Sequence, residues 1–132
     1  GRITKDLDVL TEYVRQALKR QITRQYLGEG RTLTVITLDP AVEQLIRESL
    51  QTSDYGTFAA LEPHQAQRLI QQTQTLAEQL VLQGQQPVVL CAPVIRLYFR
   101  RLLEPALPQL VVLSYSELEA PLDVKTIGMV TI

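Results

Sequence analysis

Leu33-Thr-Val-Ile-Thr-Leu-Asp-Pro40 is the stretch on which the fold turns. Leu33 to Leu38 is rich in β-branched side chains, which fit a pleated and buried strand. Asp39-Pro40 then starts a helix. The aspartate accepts a hydrogen bond from an orphan amide of the first turn, and proline at the first helical position has no amide to leave unpaired. Val42, Leu45, Ile46 and Leu50 follow at helical spacing, so a helix is expected to reach about Gln51. A short apolar strand running straight into a helix is the building unit of a parallel sheet.

Further along the chain the unit recurs. Thr52 to Gly56 is a turn cluster, and Thr57 to Leu61 reads as a short edge strand. Pro63 opens the longest helix, to about Gln83, with Ala66, Leu69, Ile70, Thr73, Leu76, Ala77, Leu80 and Val81 on one stripe. Gly84 suits its exit. The glutamines on its outer face read as solvated surface. Pro87 to Cys91 is a second core strand. Pro93 begins a helix with Ile95, Tyr98, Phe99, Leu102 and Leu103 inside and Arg96, Arg100 and Arg101 outside; Pro105 and Pro108 close it. Leu110 to Leu113 is a third strand, and a turn from Ser114 to Asp123 leads to a last strand over about Val124 to Ile132.

In the other direction lies an amphipathic helix over Asp8 to Tyr26. Leu10, Tyr13, Val14, Ala17, Leu18, Ile22 and Tyr26 form its stripe, with Glu12, Arg15, Lys19, Arg20 and Arg24 opposite. Gly28-Glu-Gly30 separates it from the alternating region, so residues 1–30 are assigned to an adjoining subdomain with its linker and residues 31–132 to the main domain. The expected fold is therefore α/β. A small, mostly parallel sheet of four to five strands is flanked by helices and preceded by one helix from a neighbouring subdomain. No period of solenoid length repeats.

Composition narrows the function. A chain of 132 residues, 45% hydrophobic and 20% charged, is ordinary for a globular domain with a real core. The net charge of −1 and the scattered aromatics offer neither the basic stripe nor the stacking platform of a nucleic-acid module. The longest apolar stretch, Pro87 to Ile95, is far short of the roughly 20 residues needed to span a bilayer. The charged opening residues do not read as a signal peptide, so no direct membrane contact is expected of this piece. Cys91 is the single cysteine, which excludes an internal disulfide and suits a reducing compartment.

The reactive side chains have structural explanations. Ligands of open parallel sheets bind beyond the carboxyl ends of the strands, which directs attention to Asp39 and Cys91. A small α/β enzyme or a phosphoreceiver would use one of them. Cys91 precedes a helix, but Pro93 deletes an amide from any anion cradle, and Arg96 comes too early for a phosphate-transferring cysteine loop. A small apolar residue ending a core strand explains it. Asp39 lacks the acids at neighbouring strand ends that a phosphoreceiver or metal site needs, and helix capping accounts for it. His64, the sole histidine, falls in a helix's first turn without a triad-like neighbourhood. Zinc lacks its ligands. Gly28-Glu-Gly30 precedes a strand where a dinucleotide motif must follow one. No catalytic residue, cofactor or metal is assigned. The candidate functional residues are surface cations, Arg15, Lys19, Arg20 and Arg24 on one helix and Arg96, Arg100 and Arg101 on another, read as docking contacts for acidic protein surfaces.

Five strings in register strengthen that reading. Leu10-Thr-Glu-Tyr-Val-Arg-Gln-Ala-Leu-Lys-Arg-Gln-Ile22, Val35-Ile-Thr-Leu-Asp-Pro40, Leu61-Glu-Pro63, Gln86-Pro-Val-Val-Leu-Cys-Ala-Pro-Val-Ile-Arg96 and Leu107-Pro-Gln-Leu-Val-Val-Leu-Ser114 resemble the FHIPEP family of export gate proteins. The resemblance runs from about residue 8 to the end. Gln86 to Pro93 is nearer the flagellar branch than the virulence-injectisome branch, and Gln51 to Phe58 is similar to both. The resemblance implies a parent anchored in the bacterial inner membrane, whose cytoplasmic part assembles as a ring below the export channel. That part would receive chaperone–substrate complexes and work beside other export components. This chain would then supply the last helix of the third cytoplasmic subdomain and the whole terminal one. No functional residue of the family carries over to a numbered position here.

Overall fold

The computed structural model describes residues 32–54, 56–118 and 123–132. The helix expected over Asp8 to Tyr26, the linker after it, and Arg15, Lys19, Arg20 and Arg24 lie outside the described residues.

The order is β1 (Thr32–Leu38), α1 (Pro40–Glu48), β2 (Leu50–Ser53), β3 (Gly56–Ala59), α2 (Pro63–Leu82), β4 (Val88–Cys91), α3 (Arg96–Leu103), β5 (Val111–Ser114), a 3-10 turn (Tyr115–Glu117) and β6 (Asp123–Val130). Four strands form one sheet in the order β5-β4-β1-β6. Every pairing in it is parallel. The chain thus adds strands in one direction from β1 through β4 to β5, then places β6 on the opposite side of β1.

Because side chains alternate across a strand, the short strands contribute to both faces. Ile36, Leu38, Val89, Cys91, Val112 and Val130 share a cluster with Val42 and Ile46 of α1, Leu69, Ala77 and Leu80 of α2, and Phe99 and Leu103 of α3. Leu33, Val35, Val88, Leu90 and Leu113 form the other face, with Val111 and Leu118 packed on it. That near-continuous apolar character is what a sheet buried on both sides requires.

The helix ends follow their sequence signals. Asp39 caps α1 by accepting from Ala41 N at 2.8 Å. α2 stops in a Schellman turn: Gly84 N donates to Val81 O and Gln85 N to Leu80 O, with Gly84 in the left-handed region at φ 76.

Four local expectations shift. α1 ends at Glu48, and Leu50–Ser53, where the last helical residues and the start of the turn cluster were expected, is a strand. It pairs antiparallel with β3 in a separate two-stranded ribbon, so the short strand expected over Thr57 to Leu61 joins this ribbon instead of edging the main sheet. α3 begins at Arg96, three residues beyond Pro93. Finally, not every α2 glutamine is mere solvated surface. Gln72 Nε2 donates to Thr131 O at 2.6 Å and its Oε1 accepts from Thr131 N at 3.0 Å, closing the chain end against the helix as a strand partner would.

Candidate protein-docking surface and the carboxyl edge of the sheet

The carboxyl edge brings together Asp39 after β1, Cys91 at the end of β4 and Ser114 at the end of β5. Asp39 is occupied with its cap, and its own amide donates to Val130 O at 2.9 Å, which ties the exit of β1 to the end of β6. Cys91 is 0% exposed. A buried sulfur in an apolar cluster cannot present a thiolate to a substrate. His64 is exposed in the first turn of α2. The enzyme or phosphoreceiver alternative therefore loses both residues on which it stood.

Polar groups do gather beside Cys91, each with a structural task. Glu43 Oε2 of α1 accepts from Ala92 N at 2.5 Å and holds the turn between β4 and α3. Ser114 and Glu117 form a capping box, with Ser114 N and Oγ donating to Glu117 Oε1 at 3.1 and 3.2 Å. Ser114 Oγ also lies 2.9 Å from Ser116 Oγ. Burial, then the negative charge of Glu43, holds the Tyr115 phenol above its ordinary value of 10.0.

Arg96 departs from its expected place. It is 4% exposed, donates from Nη1 to Val112 O at 3.2 Å, and its Nε lies 3.8 Å from Glu117 Oε1. Glu117 is itself fully buried. Arg96 is thus an internal strut between α3 and the turn after β5, and the outward placement expected from helical spacing is corrected. The Ser114-x-x-Glu117 spacing was the available signal for its partner, and a buried carboxylate needs a cation or several donors.

Arg100 is half-buried, with Nη2 donating to Pro108 O at 3.0 Å. Arg101 is exposed, and its Nη1 reaches Thr57 O of the ribbon at 3.4 Å. Of the three arginines of α3, Arg101 alone is exposed.

At the opposite, amino end of the sheet an apolar groove of about 520 Å³ opens between the last turns of α2 and the loop before β5. Ala77, Val81, Leu82, Pro87, Leu107 and Leu110 line it. Val81, on the apolar stripe of α2 by its spacing, is 59% exposed here. Among the described residues no group of acids, histidine and cysteine could hold a metal ion. No described helix is long and apolar enough to cross a membrane.

Residues 1–123 match the model of the FHIPEP family. The chain is 42% identical over 132 residues to the flagellar biosynthesis protein FlhA of Bacillus subtilis, covering all of this chain and 20% of that protein. It is 37% identical over 133 residues to protein hrpC2 of Xanthomonas euvesicatoria, again covering all of this chain and 20% of the relative. Its fold superposes on the cryo-EM structure of nonameric EPEC SctV-C with a TM-score of 0.82 at 29% identity, covering 92% of this chain and 36% of that one. The chain spans about a fifth of the length of the curated relatives it matches. The Bacillus relative is named for flagellar biosynthesis, and none of the three carries the name of an enzyme.

Proposed function

The chain belongs to the FHIPEP family, and on that premise we propose that it is a docking and assembly domain of a flagellar type III protein export gate. In this reading residues 31–132 are the terminal subdomain of the parent's cytoplasmic region, and residues 1–30 supply the last helix of the subdomain before it with its linker. The parent is anchored in the bacterial inner membrane and presents this domain on the cytoplasmic face. There the domain helps a ring of parent chains assemble and helps receive chaperone–substrate complexes.

One observation carries the proposal: similarity along the whole of this chain to a flagellar biosynthesis protein, on a chain whose polar side chains at the sheet's carboxyl edge are consumed by structure. The higher identity to the flagellar relative than to hrpC2 favours the flagellar branch over the injectisome branch. Arg15, Lys19, Arg20, Arg24, Arg100 and Arg101 are the proposed contact residues, with Arg101 the most accessible of those described. Arg96 is withdrawn from that set by its burial. Rim cations of this kind set encounter rate and orientation more than affinity.

The test is capture. The complete cytoplasmic region of the parent, immobilised, is offered purified flagellar chaperone–substrate complexes at low and high salt. Retention that weakens as salt screens the charges is expected. Failure of that region both to retain any export component and to self-assemble would overturn the proposal.

A further inference from the structure

We propose that the groove between α2 and residues 105–110 receives an amphipathic helix of a partner protein, one that carries a lysine or arginine beside its apolar stripe. The inference rests on the docking reading above and adds to it the place and the chemistry of the contact.

The first ground is unburied apolar surface on rigid walls. Val81 and Leu82, in the last turn of α2, are 59% and 86% exposed. They stand over a floor that includes buried Leu110. The far wall is ordered, with Ala106 N and Leu107 N both donating to Leu103 O at 3.1 and 2.7 Å. A preformed groove costs little ordering on binding. Its volume lies in the range of clefts that take organic side chains.

The second ground is backbone chemistry. An extended peptide binds by adding a strand to open amides. Two of the groove's lining residues, Pro87 and Pro108, have no amide to give. A helix brings its own backbone bonds satisfied and asks only for apolar contact along one stripe.

The third ground is charge. Glu78 is the one charged residue of the lining, and it is exposed. The rim beyond it is neutral and polar: Gln85 and Gln86 are exposed, and Gln86 Nε2 donates to Gln109 O at 2.9 Å. An apolar floor inside a polar rim with one exposed acid matches a basic-flanked apolar stripe and disfavours an anionic lipid surface.

The experiment uses the complete cytoplasmic region of the parent and two fluorescent probes, a Leu/Lys amphipathic helical peptide and the same peptide with glutamate for lysine. The lysine peptide is expected to bind more tightly. Leu82→Asp should weaken it by about tenfold or more, and Glu78→Gln by several-fold. Leu82→Asp adds negative charge, so non-specific attraction to the basic peptide would strengthen in that variant. A fall therefore reports the groove. Equal binding of both peptides, indifference to Leu82→Asp and Val81→Asp, binding of the apolar dye anilinonaphthalene sulfonate alone, or self-association through the groove would each overturn the inference. Because Val81 and Leu82 are largely exposed, both variants should keep the fold, which circular dichroism verifies. If the groove variants lose nothing while chaperone capture and ring assembly persist, this inference fails and the docking function stands.

Discussion

Leu76 of α2 lies directly over Gly128 of β6: a Cβ built on Gly128 would sit 2.6 Å from Leu76 Cδ2. The glycine pairs with Ile36 just after an irregularity in which Ile127 is the extra residue of β6. This close approach lets the long helix rest on the edge strand.

Gly128→Val should therefore destabilise the chain by about 1–3 kcal/mol through overpacking. Shortening the opposing side chain makes room, so Leu76→Ala in the Gly128→Val background should cost less than the sum of the two single changes. Urea denaturation of the four proteins in this cycle measures the coupling. Simple additivity would mean that the two residues do not press on each other.

Arg96 and Glu117 bury opposite charges, and removing one strands the other. Glu117→Ala should cost about 3 kcal/mol, the low end for a broken buried pair given its 3.8 Å separation. Glu117→Gln keeps an oxygen to accept from Ser114 and should cost less, because only the charge is lost. The double change Arg96→Met with Glu117→Leu should recover part of the stability lost in Glu117→Ala, since no charge remains buried. Denaturation midpoints distinguish these outcomes. A neutral Glu117→Ala would show that the pair contributes nothing to this fold.

The Tyr115 phenol gives the pH dependence its sign. Its value is raised above 10.0 in the folded chain, so between the unfolded and folded values the native state holds the proton more tightly. Stability is thus unaffected by this group below about pH 10 and declines as pH rises past it. Tyr115→Phe should abolish that part of the alkaline decline, and Glu43→Gln should move the phenolate absorbance transition downward. A transition left unmoved by Glu43→Gln would remove the acid from the account.

Cys91 should be chemically silent. With no exposed surface it can meet a thiol reagent only when the strand opens. Labelling of the native chain should be on the order of a thousandfold slower than in denaturant for a domain of ordinary stability. Labelling at the rate of a free thiol would restore the enzyme reading.

Much of this was legible in the residues. Leu33 to Pro40 and Pro87 to Cys91 read as strands feeding helices because β-branched runs and Asp-Pro caps act locally, and both strands stand where expected. Leu50 and Gln51 read as helix because Leu50 continues the helical spacing of Val42 and Ile46, and Thr52 and Ser53 read as turn by composition. What makes Leu50–Ser53 a strand is pairing with Gly56–Ala59, a contact beyond local propensity. Arg96 was placed outside because charged residues rarely sink without partners, and Glu117 lies twenty-one residues away, past a whole strand. The groove escaped notice for the converse reason. Helical periodicity shows which residues are apolar, not whether anything covers them.

This domain works either through its surface or through chemistry. Protein export by cells carrying two versions of the full-length parent tests that directly. One version has Asp39→Asn, His64→Ala and Cys91→Ala, removing every reactive candidate while the asparagine still caps α1. The other has Arg15, Lys19, Arg20, Arg24 and Arg101 changed to glutamate. Export retained in the first and lost in the second, with both proteins present at normal levels, is the predicted result. Export lost in the first and unchanged in the second would contradict it.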